Sequence, residues 1–288
     1  MEAARESGMV EFITSARIEH VDQNDHQVIT TDQHGNHHRG CALVAADGVR
    51  SVVRAQYVGD GHRVTGHVVY RAVVEKDDFP DDLKWNAASV WVGPNCHLVH
   101  YPLRGGEQYN VVVTFHSRQQ EEWRITDGSA EEVQSYFEGI CNQARQLITL
   151  PKNWRRWATA DRDPIAQWTF GRVTLLGDAA HPMTQYMAQG ACMALEDAVT
   201  LGEAMRLHDN RIEPAFDLYQ RSRVARAARV VLSAREMGRI YHAKGVERLV
   251  RNDLWRGRTP ERFYDAMEWL YGWTVNNCLA GRNSSGRH

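Results

Sequence analysis

The stretch RVTLLGDAAHPMTQYMAQGACMALEDA, from Arg172 to Ala198, decides the fold of this 288-residue chain. Its apolar run, Val173 to Leu176, is short and stops at Gly177-Asp178, which is typical of a strand buried on both faces. After a loop that contains Pro182, a helix is predicted to begin near Gln189-Gly190. Ligands of open α/β sheets bind beyond the carboxyl ends of strands, and helix N-termini favour negative charge. We therefore predict an α/β fold with a ligand site between Asp178 and this helix.

A second strand end upstream supports the same architecture. In CALVAADGVRSVVR, residues 41–54, an apolar run meets Asp47-Gly48, and Ser51 is placed to cap a short helix that contains Arg54. Apolar strands run into Asp-Gly in many α/β proteins, so a plain strand-to-helix turn stays open as the alternative. The helix after Gly190 is itself indicated by apolar residues at helical spacing: Ala191, Ala194, Leu195, Ala198, Leu201 and Met205.

Composition excludes several classes of protein. Lys and Arg number 34 against 36 Asp and Glu, a net charge of −2, which gives no electrostatic reason to expect a nucleic-acid partner. The sequence has no run of 18 apolar residues and no signal-like segment, so we expect a soluble, cytoplasmic protein without stable membrane insertion. The five scattered cysteines are interpreted as reduced thiols. The histidines at 34, 37 and 38 favour a solvated hairpin tip over a metal site.

Residues 61–164 predict a second domain built from an antiparallel sheet. Alternating strands are expected at 67–75, 88–93, 96–103 and 109–116, and an amphipathic helix is expected over 129–148. Side chains alternate along a strand, so two sets lie on opposite faces: His97, Val99 and Tyr101 on one, and Cys96, Leu98 and His100 on the other. A histidine on a strand is more often a packed residue than a catalyst, so His97 alone indicates little.

The stretch from Gly177 to Ala198 resembles the second flavin-binding motif of the class A FAD-dependent aromatic hydroxylases. That motif reads Gly-Asp-Ala-Ala-His, a loop with Pro, Gly-Gln-Gly, an Asn and Glu-Asp-Ala, and its spacing is kept here. The upstream ADGVRSVVR resembles a second family pattern. Three positions depart from the commonest form of the motif: Gln185 stands in place of Pro, Ala188 in place of Gly and Cys192 in place of Asn. The form QYMAQGACMALEDA is most similar to family members that convert 3-hydroxybenzoate to gentisate.

The resemblance implies a set of FAD contacts. Asp178 is expected to bond the ribityl chain, and the helix start at Gly190 is expected to face the pyrimidine edge of the flavin. Asp47, Gly48 and Arg54 are expected near the pyrophosphate and the path of the nicotinamide nucleotide. The remaining cofactor contacts implied in this way are Gly177, Pro182, Gln189 and Ala191.

The resemblance also implies hydroxylation of a phenolic acid with NADH and dioxygen. A phenol of pKa about 10 reacts better as phenolate, which requires a base. Similar family members place a His and a Tyr four residues apart just before a Pro, which assigns the base to His97. Tyr101 and Gln185 are expected to hold the hydroxyl or carboxylate of the substrate. Two alternatives stay open, namely salicylate or another phenolic acid as substrate, and a non-catalytic remnant that cannot retain FAD.

The expected domain division follows from these motifs. Residues 1–60 and 165–212 are predicted to form an incomplete Rossmann-like FAD-binding domain, since no G-x-G-x-x-G turn occurs and an N-terminal segment is expected to be missing. Residues 61–164 are predicted to bind the substrate. The C-terminal region, 213–288, is predicted to be helical, with Arg223 on an outward face, and its aromatic residues are expected to dock and to support a homodimer.

Overall fold

The computed structural model describes residues 2–279 of the chain. The strands are β1 (Ile18–Gln23), β2 (Val28–Asp32), β3 (His37–Gly40), β4 (Leu43–Ala45), β5 (Arg63–Glu75), β6 (Ser89–Gly93), β7 (Cys96–Leu103), β8 (Gln108–His116), β9 (Ile125–Gly128), β10 (Trp154–Asp161), β11 (Thr169–Phe170) and β12 (Val173–Leu175). The helices are α1 (Glu2–Glu6), α2 (Val52–Tyr57), α3 (Ala130–Tyr136), α4 (Asn142–Thr149), α5 (Gly190–Leu207), α6 (Ile212–Tyr241), α7 (Gly245–Trp255) and α8 (Pro260–Tyr271). The predicted mixed α/β fold class is confirmed.

The stretch from Arg172 to Ala198 contains β12, which forms the parallel part of the fold together with β4. Strand β12 is buried along its whole length and pairs in parallel with β4, while β11 pairs antiparallel with β12. Because β4 and β12 run in the same direction, the turns at Asp47-Gly48 and Gly177-Asp178 leave from the same edge of the sheet.

A six-stranded antiparallel sheet forms the second layer, in the order β6-β7-β8-β5-β10-β9. Its core face packs against α3 and α4, and Cys96 and Leu98 of β7 belong to that core. His97 points to the opposite face, as the alternation of side chains predicts. The sheet thus separates an apolar core from a face that is directed towards the motif loops.

The expected single helix over 129–148 is wrong, because α3 ends at Tyr136 and α4 begins at Asn142. The intervening turn brings Gly139 so close to Pro94 that a Cβ at this position would lie 3.0 Å from the ring. Ser129 caps α3 by accepting a hydrogen bond from the backbone N–H of Glu132 at 3.2 Å. The Glu132 carboxylate makes no hydrogen bond to the backbone N–H of Ser129, because it accepts hydrogen bonds from Tyr70 and Arg156 instead.

Two separate apolar cores divide the chain. One lies within 68–154, and the other joins β1, β2, β4, β12, α2 and α5 to the first half of α6. The boundary expected at 212/213 therefore falls inside one core, and the three-part division stays a prediction. Arg223 of α6 is fully buried, so its expected outward orientation is wrong.

The C-terminal helices are only partly covered. Leu270 of α8 packs against Met187 and Met193 in a small third cluster, whereas Val246, Leu249 and Leu254 of α7 are exposed. Residues 280–288 of the predicted C-terminal region lie outside the described part of the chain. Between residues 2 and 279, no helix combines the length and the apolar character needed to cross a membrane.

Candidate active site

The first element of the site is the turn after β4. Asp47 follows this strand, and its carboxylate accepts hydrogen bonds from the backbone N–H groups of Val52 and Val53 at 2.8 and 3.3 Å. Ser51 caps the same helix by accepting from the N–H of Arg54 at 2.9 Å, as predicted. Gly48 adopts a φ of +77°, with open space where a side chain would stand. The turn is therefore rigid and leaves its backbone accessible.

Arg54 lies in the short helix after this turn, and its place near the pyrophosphate and the nicotinamide nucleotide path stays a prediction. The side chain is fully buried, and its Nε and Nη2 donate to the carboxylate of Asp60. Its remaining donors go to the carbonyl oxygens of Ala179, Ala180 and Asp163. All five N–H groups are thus used within the protein. Arg54 joins the two strand ends, and the turn after β12 depends on it for position.

A buried ionic network holds the turn after β12. The carboxylate of Asp197 accepts from the backbone N–H of Gly177 at 3.0 Å, lies 2.6 Å from Nε2 of His181, and accepts from Nε of Arg223 at 2.7 Å. Burial alone raises the pKa of Asp197, but the bonds and charges of His181 and Arg223 outweigh burial and lower that pKa. Glu196 extends the network by accepting from Arg223 and Arg226. The Glu-Asp-Ala end of the motif is therefore a structural anchor.

The accessible part of the motif lies between Asp178 and the start of α5. Asp178 is exposed, and a Cβ built on Gly190 would lie 3.8 Å from its Oδ1. Gln189 precedes the helix and is buried, while Ala191 in the first turn is exposed. Pro182 is buried in the loop that connects β12 to α5. The sequence-predicted cofactor residues of this motif thus lie along one short path.

These residues fit a flavin. An exposed carboxylate suits hydroxyl groups of a ribityl chain, and the N-terminus of the 18-residue helix α5 offers free N–H groups and positive potential to an electron-rich ring edge. Gly190 leaves space next to Asp178 that a larger side chain would fill. Asp178 and the start of α5 are accordingly the residues that would hold the cofactor, with Asp47 and Gly48 at the neighbouring strand end.

Ala188 occupies a left-handed conformation, with φ 52° and ψ 32°, at the end of the short 3-10 segment Gln185–Met187. This geometry explains why the commonest form of the motif has Gly here, since a Cβ is disfavoured in that region of backbone space. The loop keeps its shape in spite of the substitution. The strain therefore lies immediately before the start of α5.

Gln185 connects the motif loop to the six-stranded sheet. Its Nε2 donates to Oγ1 of Thr114 on β8 at 3.3 Å. Thr114 is paired directly with His97 on β7, so both side chains lie on the same face of the sheet. The structure thus brings together Gln185 and His97, which lie 88 positions apart in the sequence. The sequence reasoning missed Thr114, although its alternation with buried apolar residues along β8 marks it.

Tyr101 lies on the same face of β7, half-buried, and is paired with Asn110 of β8. Asn110 is fully buried and accepts a hydrogen bond from Nε of Arg71 at 2.6 Å. Among the described residues, the Nδ2 of Asn110 has no partner. His97, Tyr101 and Asn110 therefore present hydrogen-bonding groups on one face of the sheet, next to Arg71 of β5.

His97 is almost fully buried, and its Nδ1 lies 2.8 Å from Nε2 of His242. Burial, helped by the nearby His67, lowers the pKa of His97 to about 3. The imidazole is consequently neutral near pH 7 and can accept a proton. His242 was not anticipated from the sequence, because it lies 145 residues away and follows a helix without any motif.

A cavity of about 320 Å³ lies beside the motif loop, lined by Thr184, Tyr186, His67 and Arg235 among others. The hydroxyl of Tyr186 is 2.8 Å from Nδ1 of His67. Gln185, His97 and Tyr101 do not line this cavity, but His67 lies on the same face of the sheet as His97 and Thr114.

Comparisons with known proteins agree with these observations. Residues 1–234 match the family described as FAD binding domain. A 3-hydroxybenzoate 6-hydroxylase of Polaromonas naphthalenivorans (strain CJ2) is 76% identical, over 97% of this chain and 70% of that protein. The 3-hydroxybenzoate 6-hydroxylase 2 of Aquipseudomonas alcaligenes is 72% identical, over 97% of this chain and 88% of that protein. A salicylate hydroxylase substrate complex has the same fold, with a TM-score of 0.79 at 24% identity over 93% of this chain and 70% of that one.

Proposed function

Because this chain belongs to the class A FAD-dependent aromatic hydroxylases, we propose that it hydroxylates 3-hydroxybenzoate to gentisate with NADH and dioxygen. The observation that supports this assignment most strongly is the bond from Gln185 to Thr114, because it places the motif loop against the strand that carries His97. A substrate on this face of the sheet is close to both the helix start of α5 and a neutral imidazole.

Bound FAD supplies the redox chemistry and the activated oxygen. The side chains of this chain bind and orient the aromatic acid. Nε2 of His97 makes no hydrogen bond to any described residue, so it is the nitrogen available to accept the substrate hydroxyl proton, while Nδ1 is held by His242. Removing this proton makes the ring a better nucleophile, and general-base catalysis of this kind contributes about 10²- to 10⁴-fold.

Gln185 and Tyr101 are proposed to fix the substrate in the plane of the sheet face. The amide of Gln185 can donate and accept, whereas the Pro usual at this position does neither. The half-buried hydroxyl of Tyr101 lies four residues along the same strand from His97, on the same face. Two polar contacts together with a buried base define which ring position faces the flavin.

Product analysis tests this proposal. The protein is supplied with FAD, NADH, air and 3-hydroxybenzoate, and the product is identified by chromatography. We expect gentisate, with NADH and dioxygen consumed in a ratio of one to one. Salicylate, a phenolic acid with its hydroxyl at another position, is the matched control substrate and should give little product. NADH oxidation without hydroxylated product contradicts the proposal. Loss of flavin colour on purification also contradicts it and favours the alternative of a non-catalytic remnant that cannot retain FAD.

A cytoplasmic homodimer is proposed for the assembled protein. All five cysteines are free thiols, which agrees with a reducing compartment. Val246, Leu249 and Leu254 form an exposed apolar stripe on α7 that a second copy would cover. Analytical ultracentrifugation should show a dimer that Leu249→Glu weakens, and a monomer for the unaltered chain would contradict the proposal.

A further inference from the structure

His242 lies at the junction of α6 and the substrate sheet. It follows the last residue of α6, and its carbonyl oxygen accepts a hydrogen bond from the backbone N–H of Asn95 at 3.0 Å. Asn95 belongs to the turn between β6 and β7, two residues before His97. The backbone of His242 is therefore bonded to the turn before β7, and Nε2 of its imidazole lies 2.8 Å from Nδ1 of His97.

His242 also borders a second cavity. Nδ1 is buried and has no hydrogen-bond partner among the described residues, and His242 lines a cavity of about 300 Å³. Lys244 and Glu247, which are exposed, line the same cavity, so it reaches the surface of the protein. A buried N–H without a protein partner is costly, and a cavity of this size admits water that satisfies it.

We propose that His97 and His242 form a two-imidazole relay that carries the proton of the substrate hydroxyl to water in this second cavity. The inference rests on the proposed function, because the proton comes from the bound phenol. It assigns His242 a positioning and relay role, since His242 acts through His97 and does not contact the substrate.

The proton transfers balance atom by atom without any change in oxidation state. The substrate O–H bond breaks as Nε2 of His97 gains the proton, and Nδ1 of His97 gives its own proton to Nε2 of His242. Nδ1 of His242 then releases a proton to water, so that one proton enters and one leaves. Both rings exchange tautomers. Re-protonation of the phenolic oxygen in the product runs the same steps in reverse and restores the starting tautomers.

The surroundings of the two rings explain why a relay is needed. Burial, together with the neighbouring histidines, lowers the pKa of His242 to about 2, and that of His97 is about 3. Neither ring can therefore store the proton of a phenol, whose pKa is about 10, and each must pass it on. The titratable groups that face His242 are His97, His67, His116 and Tyr186 on the ring side and Arg235, Arg239, Lys244 and Glu247 around the cavity.

A competing route through Tyr186 is less suitable. Its ring is 5.3 Å from that of His97, but its hydroxyl bonds to His67, and no hydrogen bond joins Tyr186 to His97 within residues 2–279. Desolvation also raises the pKa of Tyr186 well above its usual value. Among the described residues, only His242 therefore continues the hydrogen-bonded chain from His97.

Stopped-flow binding tests the relay without turnover. Oxidised, FAD-loaded protein is mixed with 3-hydroxybenzoate in weakly buffered solution containing a pH indicator, and NADH is omitted. Proton release, the absorbance of the phenolate and the perturbation of the flavin spectrum are followed together. In the His242→Gln variant we expect an unchanged dissociation constant and a rate of proton release that falls by about 10²-fold. The His116→Gln variant, altered in the same cavity but outside the relay, should behave as the unaltered protein.

A chemical rescue separates relay from packing. The smaller His242→Ala variant opens space next to His97, and added imidazole should restore proton release in proportion to its concentration. Unchanged proton release in His242→Gln, or a slow His242→Ala that imidazole does not rescue, overturns the relay while the proposed function stands. An unaltered protein that does not bind 3-hydroxybenzoate overturns both.

Discussion

The carboxylate of Asp197 accepts a hydrogen bond from the backbone N–H of Gly177 at 3.0 Å, which ties the last acidic residue of the motif to its first turn. Gly177 has a φ of +61°, and a Cβ there would lie 3.2 Å from Ala194 of α5. The turn and the helix start are therefore one rigid unit. This contact fixes the position of the next residue, Asp178, which is proposed to hold the flavin.

Replacing Asp197 by Asn should strongly destabilise the protein. The change leaves Arg223 and His181 buried beside a neutral amide, and loss of one partner of a buried pair costs about 3–5 kcal/mol. Urea unfolding at neutral pH measures the free energy of unfolding. The matched control is Asp217→Asn, whose partner Arg221 is exposed, and it should cost less than about 1 kcal/mol. Similar losses in both variants would show that the network is not an anchor.

Ala188→Gly should stabilise the protein by about 1 kcal/mol. Ala188 has a φ of 52°, where the Cβ is strained and Gly is not, although Gly also increases the entropy of the unfolded chain. The control is Ala198→Gly in the exposed, ordinary helical part of α5, which should cost about 0.5–1 kcal/mol. Thermal unfolding of the two variants should therefore change in opposite directions, and a shared sign would contradict the prediction.

Mild acid should destabilise the protein through its buried histidines. Burial lowers the pKa of His67 to about 4, so the folded state stays neutral while the unfolded state gains protons below pH about 6.5. The contribution of His67 to the free energy of unfolding is thus fully present above pH about 6.5, and it is lost as the pH falls towards about 4. Lowering the pH from about 7.5 to about 5.5 should cost about 1 kcal/mol for this residue alone.

Urea unfolding at the two pH values measures this loss. His67→Gln should reduce the dependence of stability on pH by about the same 1 kcal/mol. His26→Gln, at an exposed position, should leave the dependence unchanged. An equal effect of the two substitutions would mean that His67 is not held neutral by burial.

Gln185→Pro should impair use of the substrate without disturbing the loop. Gln185 is the first residue of a 3-10 segment, and Thr184 before it is extended at φ −69° and ψ 155°, so the backbone accepts Pro. The side chain bond to Thr114 is lost. We expect a higher KM for 3-hydroxybenzoate and more hydrogen peroxide per NADH consumed, with an unchanged free energy of unfolding. Normal coupling and KM would remove Gln185 from the site.

His97→Ala should lower the rate of hydroxylation by about 10²-fold or more at neutral pH and should make it recover as the pH approaches the phenol pKa of about 10. The recovery arises because hydroxide then deprotonates the substrate in solution. His100→Ala is a poor control because His100 is buried in the core, so exposed His20→Ala serves instead. An unaltered rate and pH profile in His97→Ala would show that another group is the base.

The sequence by itself determined the fold class, the family and the two strand ends at Asp47 and Asp178. These features depend on local spacing: an apolar run that stops at Gly-Asp, a loop with Pro182, and a helix that begins at Gly190. Alternation along Cys96–Leu103 also placed His97 and Tyr101 on one face correctly, because a strand repeats every two residues whatever surrounds it.

Only the tertiary structure decided what the charged side chains do. Arg54 and Arg223 look like surface residues in a sequence, but both are buried, and their partners include residues that are distant along the chain, such as Ala180 and Asp197. The contacts between Gln185 and Thr114 and between His97 and His242 likewise join segments 71 and 145 residues apart. Periodicity reports which face a residue occupies, whereas its partner depends on how separate elements pack, and no local pattern encodes that.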